Sequence, residues 1–477
     1  MLCDRTIRPA ITALVLGALL LSACAGVVPP PASPPLPRET RSETAAQHDV
    51  IVVGAGLAGL TTARALMADG HDVLVVEATN RIGGRAYTDT TSFSIPVDLG
   101  AAWIHGVEKN PLTGLADWLG FHRVPTDLDG PVFIGNQQRL SDEQMEAFGE
   151  QYEAMEEAME EKRCEGADVA VSQFLPESEF RALLAANIGP LEAGTEAAET
   201  SSLDASSFES DVDDFVAEGI GTLVARLGEG IPVRLSSPVT AIRYGNGGVD
   251  VVVTSGDKVE SIRARRAVVT VSTGVLAARR ITFQPDLPQS KWDAIEGLPM
   301  GLLNKVVFEF DGDILPEETP NEWVLYQDPA GVAAPSGSAV MAFVIKPLSA
   351  NVVVGFYGAD QARYYENAGD KAAIDYARTA LRQMYGDEVV SRIRDDKSKV
   401  TSWGRNPWTL GSYSSARPGM SKMHEVLAEP VDDLVFFAGE ACGPPEFNGS
   451  LAAALVSGRK ASRQVHNSLT EVLLHAP

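Results

Sequence analysis

Two stretches of this chain carry residues that chemistry could use. The first is "GAGLAG", with Gly54, Gly56 and Gly59. Glycines at this spacing let the chain turn tightly and bring a helix N-terminus against a pyrophosphate, where free N–H groups and the helix dipole favour negative charge. The second is "GLLNKVVFEF" (301–310), a β-strand pattern in which Lys305 shares one face with Leu303 and Val307. An ammonium on an otherwise apolar face costs desolvation unless it has a partner or a task. A buried lysine also titrates downward. Lys305 therefore reads either as a snorkelling edge lysine or as a functional group of lowered proton affinity. The seven histidines form no ligand cluster and there is no CxxC pair, so no metal centre is expected.

The elements that must hold the glycine turn are set by local pattern. "DVIVV" is a short buried strand, and "LAGLTTARALMADG" has helical spacing and stops at Gly70. "HDVLVVE" is a second strand, and it closes on Glu77, about 20 residues after the turn, where an acid suits a ribose hydroxyl. A glycine fingerprint between such a strand and helix predicts a Rossmann-type dinucleotide fold. The fingerprint does not separate NAD from FAD. Further on, "LSDEQMEAFGEQYEAMEEAMEE" predicts an amphipathic helix capped by Ser141 and Gln144. Its Met145, Phe148, Tyr152, Met155 and Met159 fall at three- and four-residue steps and read as core packing.

The segment just after the ribose acid is more specific. "EATNRIGGRAYT" sets Arg81 and Arg85 around Gly83 and Gly84. This arrangement resembles the flavin amine oxidase family, and most of all its polyamine and spermine oxidases. The resemblance runs on through "DLGAAWIHG" (98–106), "SPVTAIRY" (237–244), "RRAVVTVSTGVL", "SWGRNPWTLGSYSSARPG" (402–419) and "LVFFAGEACGPPEFNGSLAAALVSGRKAS". It implies non-covalent FAD, with Gly54, Gly56, Gly59, Glu77, Arg81 and Arg85 at the dinucleotide. Gly100, Ala101, Ala102 and Trp103 would line the isoalloxazine, Val239 would contact adenine, and Glu440 would reach the ribityl chain. Gly449, Ser450 and Leu451 would present backbone and a helix N-terminus to the flavin pyrimidine, where partial positive charge stabilises the reduced ring.

The same resemblance assigns roles on the substrate side. Lys305 would hold a water against flavin N5, His105 would face the substrate, and Tyr413 would be an aromatic wall with Trp403 behind it. Ser412 stands where monoamine oxidases carry the cysteine that links to flavin, and a hydroxyl cannot make that thioether. Ser450 stands where they carry a second tyrosine, which leaves room for a longer amine; Phe447 offers aromatic surface nearby. Of the acids in "EAGTEAAETSS" (Glu192, Glu196 and Glu199), Glu199 is the candidate for a second ammonium. The usual "HGA" before the last helix is Ala452–Ala454 here, a departure from the family pattern at the flavin edge.

The expected architecture is α/β, with a discontinuous Rossmann-type FAD-binding domain (48–105, 224–298 and 429–470) and an inserted α+β substrate domain (106–223 and 299–428). At 477 residues, two domains are also the prior from length. A formal net charge of −25 disfavours a nucleic-acid partner and is compatible with a cationic substrate. Residues 1–23 read as a signal peptide: Arg5 and Arg8 precede a 14-residue apolar run, Ala10 to Ala23. The run ends in "LSAC", which resembles a bacterial lipobox, so Cys24 is the expected lipidation site and membrane anchor at the cell envelope. Residues 24–47 are a Pro-rich, then polar tether. Cys164 and Cys442 remain as a pair that sequence neither joins nor separates.

The expected activity is hydride transfer from the carbon beside an amine nitrogen of a polyamine (spermine, spermidine or an acetylated form), with dioxygen reduced to hydrogen peroxide and the imine hydrolysed to an aldehyde. Two readings compete with it. A monoamine or L-amino-acid oxidase on the same fold is the first; an amino acid needs an arginine clamp for its carboxylate, and Arg405 and Arg417 are available for that. The second is a non-catalytic FAD-binding envelope protein, since fold does not guarantee activity.

Overall fold

β-Branched runs explain the centre of the molecule. Ile51 and Val53 face one core and Val50 and Val52 the other, all but completely buried. Each contributes roughly 2 kcal/mol of apolar burial. In the computed structural model, which describes residues 47–474 apart from 127–129, 206–211, 257, 314, 316–317 and 329–338, the strand His48–Val53 pairs in parallel with Val73–Val76 and with Lys258–Val269. The sheet continues outward to Val233–Arg234 on one side. On the other it runs through Gly248–Ser255 and Val239–Gly245 to Thr282–Gln284, and Val435–Phe437 adds in parallel to Lys258–Val269. The signal segment, the tether and Cys24 lie outside the described residues.

Helices cover both faces of this sheet. Leu57–Ala68 and Leu451–Leu474 pack together on one face, closely enough that a Cβ on Gly458 would meet the Ala58 carbonyl at 2.6 Å. Gln289–Gly297 covers the other face. The amphipathic helices Pro111–Leu119 and Ile220–Leu227 also bury their apolar sides in the core of the long helix pair, through Leu112, Leu115, Ile220 and Leu223. Packing thus puts both on the nucleotide side, where the division read from sequence cuts at 106 and at 224.

A second, six-stranded sheet runs Ile393–Val400, Leu303–Phe310, Val352–Gly358, Val340–Ile345, Glu322–Gln327 and Val132–Ile134. Its central strands are buried on both faces. Val306 and Phe308 point to a core under the helix Asp370–Tyr385, while Leu303 and Val307 face the opposite core. The helix Asp142–Cys164 starts with the predicted capping box, Ser141 and Gln144 exchanging side-chain and backbone bonds, and buries Met155 and Met159. A short strand, Trp103–Ile104, pairs with Asp214–Val216, which also pairs with Arg123–Pro125. Among the described residues no helix is long and apolar enough to cross a membrane.

Candidate active site

The glycine turn has the geometry that its spacing predicts. Gly54 has φ +107°, and a Cβ on Gly59 would stand 2.1 Å from the Gly54 carbonyl, so the helix can approach the strand only without side chains. Gly56 behaves differently: nothing lies within 4 Å of where its Cβ would be, and the helix that it opens has no side-chain cap. Room and uncapped N–H groups at a helix N-terminus fit a pyrophosphate. The Glu77 carboxylate accepts from the Ala55 N–H at 2.8 Å and from Thr79, which fixes it at the end of its strand. Val239 begins a strand two residues beyond Ser237, whose N–H bonds the Glu77 carbonyl. Arg81 donates to the Ile82 and Gly84 carbonyls and stacks over Tyr87.

Lys305 lies 5 % exposed on its strand, opposite Phe356. Its Nζ donates to the carbonyls of Asp98 (2.8 Å) and Gly100 (2.6 Å), and Trp403 Nε1 donates to the intervening Leu99 carbonyl (3.1 Å). Three consecutive carbonyls are therefore held by Lys305 and by Trp403, three residues past the strand Ile393–Val400, and the segment Gly100, Ala101, Ala102 and Trp103 starts from there. Gly100 has no room for a Cβ, which would strike the Arg85 carbonyl. Burial pushes the Lys305 ammonium down to about 8, against the opposing pull of Asp98. The aromatic faces of Phe356 and Trp103, 5.1 and 5.8 Å away, still favour its charged form. Trp103 also packs on Phe215, Trp323 and His105, and its buried indole N–H has no partner among the described residues. That is a donor which a bound group could satisfy.

The closing segments meet on the other side. Arg85 donates to Glu440 (2.8 Å) and to the Ser412 carbonyl, and Glu440 also accepts from the Ser414 hydroxyl and N–H. Arg85 and Glu440 line a crevice at the carboxyl ends of the strands Lys258–Val269 and Val435–Phe437, where open α/β sheets take their ligands. The Ser412 hydroxyl donates to the Leu303 carbonyl and accepts its N–H, so it staples Tyr413 to the strand of Lys305. Ser450 is a helix cap: its hydroxyl donates to the Phe447 carbonyl and accepts from the Ala453 N–H ahead of Leu451. The neighbour of Tyr413 is instead Gly449, whose Cβ position would be 3.7 Å from the ring. Phe447 is half-buried in the turn before the cap.

The acid brought to Tyr413 is Glu192, not Glu199. The Tyr413 hydroxyl lies 3.4 Å from the Leu191 carbonyl, and burial and the Glu192 charge both hold it in the phenol form. Glu192 is open to solvent, with Tyr152, Glu156 and Asp213 close enough to act on its charge. Burial first, then the charges of Glu156 and Asp213, push its carboxyl up to about 7 against a lowering contact from Tyr152. Glu199 is exposed, and Glu196, three residues before it, accepts from the Asp360 N–H. Glu192 itself lies in a wide helical turn, Asn187–Ala193, which ends at left-handed Gly194 and leaves it beside Tyr413, Tyr152 and Glu156. Sequence reading also missed Asp213, which is 2 % exposed and binds His105 Nδ1 at 2.5 Å and the Gly106 N–H at 3.0 Å. Pairing of Trp103–Ile104 with Asp214–Val216 is what brings them together. Arg417 donates to the Glu296 carbonyl and Arg405 is exposed, so neither is drawn toward Tyr413. Cys442 is a free, buried thiol and makes no bridge to Cys164.

Residues 57–466 match the profile described as "Flavin containing amine oxidoreductase". Lysine-specific histone demethylase 1 homolog 2 of Oryza sativa subsp. japonica is 32% identical over 92% of this chain. The chain spans only 59% of that relative's length, and the same share of its Arabidopsis thaliana counterpart. Probable polyamine oxidase 4 of Arabidopsis thaliana is 30% identical, with 90% of this chain and 88% of that protein covered. Among solved structures, cyclohexylamine oxidase from Brevibacterium oxydans superposes with a TM-score of 0.74 at 23% identity, over 89% of this chain and 99% of that one. Putrescine oxidase bound to putrescine gives 0.72 at 19%, over 88% and 99%. These two share the fold. By profile and by identity along nearly its whole described length, the chain belongs to the flavin containing amine oxidoreductase family, an FAD-dependent group of enzymes.

Proposed function

We propose that this protein oxidises a polyamine such as spermine, spermidine or an acetylated form, and that it holds FAD without a covalent link. The observation that carries the polyamine reading is Glu192: a solvent-accessible carboxyl of raised proton affinity beside Tyr413, with Glu156, Tyr152 and Asp213 around it. An ammonium beyond the reacting nitrogen would relieve that like-charge crowding and restore Glu192 to a carboxylate. Relatives named polyamine oxidase and a fold neighbour named putrescine oxidase lend the reading support.

The residues divide the work. Gly54, Gly56, Gly59 and the helix N-terminus behind them would hold the pyrophosphate, Glu77 the ribose, and the segment 100–103 with the Leu451–Leu474 helix N-terminus the ring. When bound, FAD accepts a hydride from the carbon beside the amine nitrogen and returns the electrons to dioxygen as hydrogen peroxide. Lys305 keeps one N–H beyond its two carbonyl bonds, which suits it to hold a water for imine hydrolysis. Asp213 fixes the His105 ring, with Nδ1–H donated to the carboxylate. Tyr413, Trp103 and their aromatic neighbours keep bulk water from the reacting carbon.

Peroxide release from a panel of spermine, spermidine, putrescine, benzylamine and leucine tests the substrate class. Turnover of spermine or spermidine ahead of the monoamines is expected; turnover of leucine or benzylamine but neither polyamine would overturn the reading. Acid precipitation should leave all flavin in the supernatant, since Ser412 offers no thiol. We also propose, from "LSAC", export and lipid anchoring through Cys24. Radiolabelled palmitate should enter the wild type and not Cys24→Ala; equal labelling would remove the anchor.

A further inference from the structure

Behind the Tyr413 wall lies a buried polar hub. Asp204, 9 % exposed on the short helix Ser202–Ala205, takes bonds from three separate segments. The Ala416 N–H reaches Oδ2 at 2.7 Å, while Asn448 Nδ2 and His424 Nε2 reach Oδ1 at 2.6 and 3.0 Å. His424 is 1 % exposed, and its Nδ1 meets the Ala441 carbonyl at 2.9 Å. A carboxylate and a carbonyl only accept, so both ring nitrogens must donate, and the ring they define is an imidazolium.

The hub joins the two sides of the site. Ala416 comes just after the Tyr413–Ser414 strand, Ala441 comes just after Glu440, and Asn448 precedes Gly449, which packs on Tyr413 and leads into the Leu451–Leu474 helix. We infer that Asp204 and a protonated His424 form a positioning pair that sets the distance between Tyr413 and the Leu451–Leu474 helix N-terminus, and through it the grip on the flavin. This rests on the flavin reading above but not on any choice of amine.

Burial opposes the charge on His424, and the bond and charge of Asp204 outweigh it, so its proton affinity is raised. Glu440, itself paired with Arg85, adds to the effect. Of the other titratable groups on the elements packed against its helix, Cys442 and Lys291 are buried, while Asp293 and Glu296 are exposed on the helix Gln289–Gly297; the Lys291 ammonium is engaged by the Val426, Leu427 and Glu429 carbonyls. A raised value in the fold means that the pair is intact at low pH and is lost as pH rises through that value.

Two measurements test the pair. Nitrogen-15 spectra of histidine-labelled holoprotein at about pH 7.5, a unit above the ordinary imidazole value, should show His424 protonated on both nitrogens; a neutral ring would overturn the inference. FAD release, followed by the rise in flavin fluorescence on dilution, should quicken at least tenfold in Asp204→Asn and about threefold in Asn448→Ala, which removes one of the three bonds. The control is Leu381→Ala, buried in the far core of the second sheet, which should lower Tm but change release less than twofold. Equal release from all three variants at matched loss of Tm would make the hub generic core and end the proposal. If Asp204→Asn fails to fold, Asn448→Ala and the spectra decide.

Discussion

Around Gly56 the groups offered to a ligand are backbone N–H donors at one helix end, supplied by a run of six residues. Around Glu192 and Lys305 they are carboxyls, an ammonium and aromatic rings, drawn from Tyr152, Glu192, Asp213, Lys305, Phe356 and Tyr413, none adjacent in sequence. At Gly54 and Gly59 the first region tolerates no added atoms, because its function there is close approach. The second depends on charge balance, since like charges gather around Glu192 and one ammonium, that of Lys305, sits among aromatic rings and carbonyls. Steric failure should therefore dominate at the nucleotide end, and graded, pH-dependent effects at the amine end.

The largest effect is expected for Gly59→Val. Its Cβ would fall 2.1 Å from the Gly54 carbonyl, so the purified protein should be colourless or insoluble. Yellow, soluble Gly59→Val would contradict the close approach at the turn. Next comes Lys305→Met, which should keep its flavin and slow reduction or reoxidation at least tenfold, about 1.4 kcal/mol. Rapid mixing with a polyamine reads this, and wild-type rates would remove Lys305 from the chemistry.

Glu192→Gln should raise KM for spermidine about tenfold while leaving a monoamine within about threefold. For the wild type, KM should climb as pH falls through about 7, where Glu192 takes up its proton and loses its attraction for ammonium. The sign is fixed by direction: the folded-state value lies above the ordinary 4.5, so the free cleft prefers the acid form and amine binding must expel a proton near neutrality. Calorimetry in buffers of different ionisation enthalpy measures that release. The smallest effect belongs to Glu199→Gln, an exposed acid that does not act on Tyr413 as Glu192 does, which should leave KM within about twofold. A change as large as that of Glu192→Gln would reverse their assignment.

The same contrast explains what the sequence discloses. The glycine turn, Glu77 and the capping box of Asp142–Cys164 are legible because each is a local pattern with one backbone solution. Period-2 alternation gave the face of Lys305 for the same reason, and the strand does put Leu303 and Val307 on that side. The choice between Glu192 and Glu199 was not legible. A turn wider than an α-helix between Asn187 and Ala193 shifts every later side chain, and counting by 3.6 fails across it. Tyr152 fell correctly on the packed stripe of its helix, but periodicity places a ring without saying where its hydroxyl ends. Asp213 and His105 are 108 residues apart, and only strand pairing joins them. Ser450 has the right position for a wall, but at a helix start its hydroxyl is better used as a cap.

The central claim is that an amine carbon is delivered to a bound flavin between the Lys305 side and the Glu192 side of one cleft. Anaerobic mixing of the purified holoprotein with spermidine tests it most directly. The visible flavin band should bleach at a rate that saturates with spermidine, and Glu192→Gln should shift the saturation point far more than the limiting rate. A flavin spectrum unchanged by spermidine, spermine and every other amine tried would contradict it.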